Sequence, residues 1–183
     1  HGSRLFPLTK IFNKSLLPIY DKPMIYYPLQ TLKQIGITEV CIVSGKEHCG
    51  QIMNQLGSGD EYGVDITYRV QDKPGGIAQA LSLCESFAGD EPITVCLGDN
   101  IFEDDFGKNP WNIFTTEWID KFFDKEPKSH IFLKKVPDPE RFGVPVFHGV
   151  GRHLLRIDEK PESPMSDYAV TGLYVFDDNV WDI

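Results

Sequence analysis

From Met24 to Ile35 the apolar residues Ile25, Leu29, Leu32 and Ile35 recur at helical spacing, and Gly36 follows as a stop. Glu39-Val-Cys-Ile-Val43 is different: an unbroken apolar run after a polar start predicts a strand buried on both faces. The alternation continues. Glu47 to Leu56 reads as helix, Asp65 to Val70 as strand, Gly76 to Phe87 as helix, and Ile93 to Leu97 as a strand that ends in Gly98-Asp99-Asn100. Pro110 to Phe123 fits a further helix and Ile131 to Val136 a further strand. Val144 to His148, Leu154 to Asp158 and Tyr168 to Phe176 read as strands joined by turns that carry Gly or Pro.

Strands that alternate with helices predict an α/β fold, Rossmann-like, with a mostly parallel (mixed) sheet, helices on both faces and ligands at the carboxyl ends of the strands. One domain over residues 1–183 is expected, with no internal repeat and no linker. An open sheet of this kind usually begins with a buried strand, whereas here polar residues run directly into Arg4-Leu-Phe-Pro-Leu8. The expectation is therefore a domain lacking its first strand and its C-terminal region.

Composition narrows the function classes. A hydrophobic fraction of 41% and a charged fraction of 25% belong to a folded globular chain. The net charge of −9 argues against a broad nucleic-acid surface, yet leaves room for a small anion held in a local basic pocket. Cys41, Cys49, Cys84 and Cys96 lack zinc or C-x-x-C spacing and are expected to be reduced thiols packed as small hydrophobes. With no membrane-length apolar run and no signal-peptide pattern, a cytoplasmic location without membrane attachment is expected.

Candidate chemistry begins with Gly2-Ser3-Arg4-Leu5-x-Pro7-Leu8-Thr9 and the Lys14-x-x-Leu17-Pro18-Ile19 that follows. A glycine-bearing loop brings backbone N–H groups close to phosphate oxygens, while Arg4 and Lys14 offset charge gathered during transfer. The plain alternative is a polar tail with solvated cations. Asp99, at a strand end, is the best metal-ligand candidate, because Mg²⁺ takes carboxylate and phosphate oxygens and needs few protein ligands; an Asp there also serves as a helix cap or turn former. Pro74-Gly75-Gly76 is good turn chemistry, and Glu159-Lys160 read alone is a solvated ion pair.

Eight runs resemble, in order, the signature of the nucleotide-sugar pyrophosphorylases. They are Gly2 to Thr9, Asn13 to Ile19, Asp21 to Tyr27, Tyr68 to Ala80, Leu97 to Phe102, Asp138 to Val144, Asp158 to Pro161 and Tyr168 to Tyr174. The nearest branch is the bacterial glucose-1-phosphate thymidylyltransferases. The resemblance implies transfer of a thymidylyl group from dTTP to glucose 1-phosphate, with Mg²⁺ as cofactor and a homo-oligomer in the complete protein. It implies catalytic roles for Arg4 and Lys14, and nucleotide contacts from Gly2, Ser3, Gln71, Gly76 and Asp99. The sugar phosphate would be held by Gly143, Glu159, Lys160, Thr171 and Gly172. Asp99 would ligate the metal, with a second aspartate contributed by a later strand.

Three departures accompany the match. The first strand and the leading glycines of the phosphate loop are absent, residues 109–128 with Trp111 and Trp118 differ from the family pattern, and the later aspartate is missing. They keep two alternatives open: uridylyl or cytidylyl transfer, or a truncated nucleotide-binding protein without catalysis. A dehydrogenase is disfavoured, because the glycine loop lacks G-x-G-x-x-G.

Because Glu159 and Lys160 are neighbours on a strand, their side chains leave on opposite faces. Both reach one ligand only where the strand twists or bulges.

Overall fold

A computed structural model describes residues 13–103, 129–148 and 153–182. After a 3-10 turn at Lys14–Leu16, a small hairpin pairs β1 (Pro18–Ile19) with β2 (Lys22–Pro23), and Tyr20 at its tip takes a left-handed φ of 61°. Helix α1 (Tyr26–Gln34) comes next. Its third residue, Pro28, is tolerated because N–H groups of a first turn have no partner within the helix. Gly36, with φ 91°, closes it, and the Ile37 N–H returns to the Leu32 carbonyl at 3.0 Å.

The predicted face of this helix is the buried one. Ile25, Leu29, Leu32 and Ile35 join Val40, Ile52, Leu56, Val64, Ile66 and Leu173 in the main core cluster. Each such side chain contributes roughly 1.5–3 kcal/mol by leaving water. Strand β3 (Glu39–Gly45) and strand β4 (Asp65–Gln71) pair in parallel, from Glu39↔Asp65 to Gly45↔Gln71, with α2 (Cys49–Leu56) in the crossover. Right-handed α/β units place ligands where such strands end, and here those ends are Gly45 and Gln71.

The helix expected over Gly76 to Phe87 is two pieces, α3 (Gly76–Ser82) and α4 (Glu85–Ala88). Ser82 explains part of the break: its hydroxyl donates to the Gln79 carbonyl at 2.9 Å, offering the backbone a local competitor. Then β5 (Ile93–Cys96) pairs antiparallel with β9 (Tyr168–Phe176), and β6 (His130–Lys135) lies on the other side of β9. β7 (Gly143–His148) and β8 (His153–Glu159) form an antiparallel pair, and β7 also packs on β9.

The α/β class and the strand–helix alternation are as expected, with parallel and antiparallel sheets both present. Among the described residues β3–β4 is the parallel pair, while β5, β6 and β9 form a separate antiparallel ladder. A cavity of about 610 Å³ lies between the two ladders, lined by Val40 to Gly45 on one side and Ile93 to Gly98 on the other. The expected phosphate segment, Gly2 to Thr9, and the expected helix Pro110 to Phe123 lie outside the described residues. Among those described, no helix is long and apolar enough to cross a membrane.

One glycine carries the turn into β4. Gly59 sits at φ 97°, and a Cβ there would stand 2.5 Å from the Val64 carbonyl oxygen and 2.7 Å from Ile66 Cγ1. Gly59→Ala is therefore expected to cost about 2–4 kcal/mol, from strain and overpacking together. A urea titration checks this; an unchanged midpoint would contradict the packing described.

Candidate active site

The site is assembled where β5 ends. Asn13 caps the first 3-10 turn, its Oδ1 accepting from the Ser15 N–H at 2.8 Å, and this holds Lys14 on the outer side of the turn. A Cβ on Gly98 would lie 3.2 Å from Ser15 Oγ, so the absent side chain lets the two segments close on one another. Across that contact Lys14 Nζ meets Asp99 Oδ2 at 2.8 Å, with both side chains about 40% exposed. Half-exposed ion pairs add little stability, about 1 kcal/mol or less, so this pair does little to hold the fold together.

Asn100 ties Asp99 to the sheet. Its Nδ2 donates to Asp99 Oδ1 at 3.1 Å, and its Oδ1 accepts the Gly172 N–H at 3.0 Å. A Cβ on Gly172 would fall 2.5–2.8 Å from the Asn100 amide, so only glycine at this point of β9 admits it. The aspartate thus has one oxygen toward an amide and the other toward a cation. Its negative charge is felt nearby: burial, aided by Asp99, pushes the Cys96 thiol up to about 12.

Gln71, the last residue of β4, donates through Nε2 to the Gly76 carbonyl at 3.2 Å and to Gln79 Oε1 at 2.9 Å. Gly76 takes φ 88°, and a Cβ on Gly75 would overlap the Gln79 amide. Gln71, Asn13, Ser15 and Gly98 all border the same cavity, whose deeper walls are apolar. Its rim carries the polar chemistry.

The remaining expected residues lie along β7, β8 and β9. Gly143 pairs with Glu159, and a Cβ on Gly143 would be 3.5 Å from Glu159 Oε2 and 3.8 Å from Val170. The Glu159 carboxylate therefore lies over a glycine, toward β9. Tyr174 on that strand is held above the ordinary phenol value by burial, and Glu159 adds to it. Lys160 leaves the strand with a left-handed φ of 47°, which turns its side chain toward its neighbour: Lys160 Nζ and Glu159 Oε1 are 2.9 Å apart. The strand end supplies the bend that lets adjacent residues share a face. Thr171 Oγ1 donates to the Phe132 carbonyl at 2.9 Å, beside the register shift between Ile131 and Leu133, so its hydroxyl serves the ladder.

Of the residues expected from sequence, Lys14 and Asp99 are paired, Gly172 reaches Asp99 through Asn100, and Gln71 bonds to Gly76 and borders the cavity. Gly143, Glu159 and Lys160 form a second group on β7 and β8. Gly2, Ser3 and Arg4 lie outside the described residues. Sequence reading passed over Asn100, although it follows Asp99 directly; the signal was its place at a strand end beside a carboxylate. For metal binding, Asp99 offers hard, solvent-reachable oxygen ligands that suit a water-rich divalent cation. Among the described residues no group of three or more His, Cys, Asp or Glu gathers around it.

The nucleotidyl transferase family model matches residues 1–183. A glucose-1-phosphate thymidylyltransferase of Neisseria meningitidis is 40% identical over 176 residues, covering 96% of this chain and 58% of that protein. One from Xanthomonas campestris pv. campestris is 43% identical, with 96% and 57% covered. The chain thus spans a little over half the length of these curated relatives. A Bacillus anthracis structure described as a glucose-1-phosphate thymidylyltransferase with sucrose superposes with a TM-score of 0.87 at 48% identity, covering 99% of this chain and 69% of that one. A UDP-glucose pyrophosphorylase with UDP-glucose shares the fold at a TM-score of 0.77 and 24% identity, covering 99% of this chain and 74% of that one. A fold that brings Lys14 to Asp99 at a strand end, matched along every residue by one family model, has one consistent reading: the chain belongs to the nucleotidyl transferase family.

Proposed function

We propose that this chain carries the transfer site of a glucose-1-phosphate thymidylyltransferase, which makes dTDP-glucose and pyrophosphate from dTTP and glucose 1-phosphate. The observation that carries the reading is the Lys14–Asp99 pair, a cation and a carboxylate at 2.8 Å, flanked by Asn13, Ser15 and Gly98, which border a cavity together with Gln71. The thymidylyltransferase names of the relatives supply the nucleotide and the sugar.

In this reading a phosphate oxygen of glucose 1-phosphate attacks the α-phosphorus of dTTP in line. The bond to the β-phosphate bridging oxygen breaks, and pyrophosphate leaves with that electron pair. No covalent enzyme intermediate is needed, so positioning and charge carry the rate. Lys14 swings from Asp99 to the phosphate oxygens, where an ammonium offsets the repulsion between the two anions. Arg4 is assigned the same task on the triphosphate, with Gly2 and Ser3 supplying backbone N–H groups.

Asp99 is the residue that would hold a divalent cation, Mg²⁺ in this proposal; such an ion draws charge from phosphate oxygens. Gln71 is the base reader, because an amide offers both a donor and an acceptor to a pyrimidine edge. Gly76, lacking a side chain, lets the base come close to the backbone. Glu159 accepts from sugar hydroxyls, Lys160 meets the sugar phosphate, and Gly143, Thr171 and Gly172 shape the floor beneath them.

Pyrophosphate release from each of the four triphosphates, with glucose 1-phosphate and Mg²⁺, tests the proposal. Release with dTTP, abolished by a chelator, is expected. A preference for UTP or CTP would move the chain to a neighbouring branch, and nucleotide binding without release would leave a binding protein.

A further inference from the structure

The cysteines are free thiols, as expected, but Cys41, Cys84 and Cys96 are partly exposed rather than packed as buried hydrophobes. Cys49 is buried, and the Cys84 S–H donates to Cys41 Sγ across 3.6 Å. Strand periodicity could not reveal this, since the two lie 43 residues apart and meet only when α3 packs on β3. We propose that Cys41 and Cys84 form a reversible disulfide site whose oxidant is a low-molecular-weight disulfide of the glutathione type.

The geometry favours closure. A disulfide needs its sulfurs about 2.05 Å apart, so a gap of 3.6 Å has to close by about 1.5 Å, shared between the two side chains. Cys41 sits in the middle of β3, and Cys84 in the turn between α3 and α4. Both border the cavity between the two ladders, which gives a small thiol reagent access.

The hydrogen bond from Cys84, aided by the positive charge of Arg69 and opposed by burial, holds Cys41 down at about 7. Cys84 is pushed well above the ordinary thiol range, first by that same hydrogen bond. The Cys84 S–H is directed at Cys41 Sγ, so a mixed disulfide formed on Cys41 lies within reach of Cys84 as the resolving thiol.

In the first step Cys41 S⁻ attacks one sulfur of R–S–S–R. That S–S bond breaks, one RS⁻ leaves, and a mixed disulfide forms on Cys41. Cys84 then gives its proton to the departing thiolate and attacks Cys41 Sγ, releasing the second RS⁻. Two thiol protons end on two RSH, and the two electrons lost by the protein reduce the reagent. A reduced dithiol reverses both steps.

Incubating the intact chain with glutathione disulfide is the test. The four thiols titratable after denaturation should fall to two, and peptide mapping should link the Cys41 and Cys84 peptides. The thermal midpoint should rise by about 5 °C, because the bridge closes a long loop, and dithiothreitol should reverse it. Cys84→Ser should trap a stable glutathione adduct on Cys41. A count that stays at four, a link through Cys49 or Cys96, or an unmodified Cys41 in Cys84→Ser would overturn the proposal. Cys49→Ser should close the same bridge as the parent chain, and failure to do so would also count against it.

Discussion

Asp99→Asn is expected to lower kcat for pyrophosphate release by about 10²–10³-fold while shifting the thermal midpoint by no more than about 2 °C. The stability side follows from exposure. The carboxylate is about 40% exposed, its pair with Lys14 contributes little, and an asparagine Oδ1 still accepts from Asn100. The rate side follows from charge, because an amide oxygen binds a divalent cation far more weakly than a carboxylate. A purely positional role for Asp99, as a rest for Lys14, makes a different forecast. Lys14→Ala and Asp99→Asn would then be equal and non-additive, with unchanged metal dependence. The proposal instead expects Asp99→Asn to raise the Mg²⁺ concentration for half-maximal rate at least about tenfold, and Lys14→Ala to leave it close to the parent value. Steady-state rates over a magnesium titration decide, and an unaltered metal profile in Asp99→Asn would remove Asp99 from the role.

The second large effect is expected at a residue with no functional group. Gly172→Ala places a methyl 2.5–2.8 Å from the Asn100 amide, and the cheapest relief is for Asn100 to swing away. That breaks its bond from the Gly172 N–H, a buried donor then left without a partner, at about 1–3 kcal/mol. It also frees Asp99 Oδ1 from its amide, and misplacing a catalytic group by about 1 Å can cost on the order of 10²-fold. Chemical denaturation and turnover together test this. Adding Asn100→Ala to Gly172→Ala should cost less than the two single changes summed, because the first removes the atoms the second collides with. Strict additivity would mean that the contact is not the cause.

Much of the architecture was legible because burial patterns are local. The face Ile25, Leu29, Leu32, Ile35 and the runs Glu39 to Val43 and Asp65 to Val70 announce their elements through periodicity alone. Pairing was less legible. Nothing in Ile93 to Cys96 says that it lies beside β9 in antiparallel sense, since that depends on a strand some 80 residues later. Of the site, Lys14 and Asp99 could be named from the chemistry a phosphate demands, and their meeting had to be seen. The turn of Lys160 into left-handed backbone was unreadable because Lys has no preference for it, unlike Gly76, whose positive φ its residue type suggests. Asn100 and the Cys41–Cys84 contact were missed for one reason: each acts through a tertiary neighbour.

The Lys14–Asp99 contact bridges 85 positions of chain, with β3, α2, β4, α3 and β5 all lying between. Bringing such distant ends together carries an entropic cost that is recovered only when the intervening elements have docked. The ion pair is thus among the last features to appear as the chain folds, and no fragment shorter than this span can assemble it. The ion pair therefore reports on the docking of every element between residues 14 and 99.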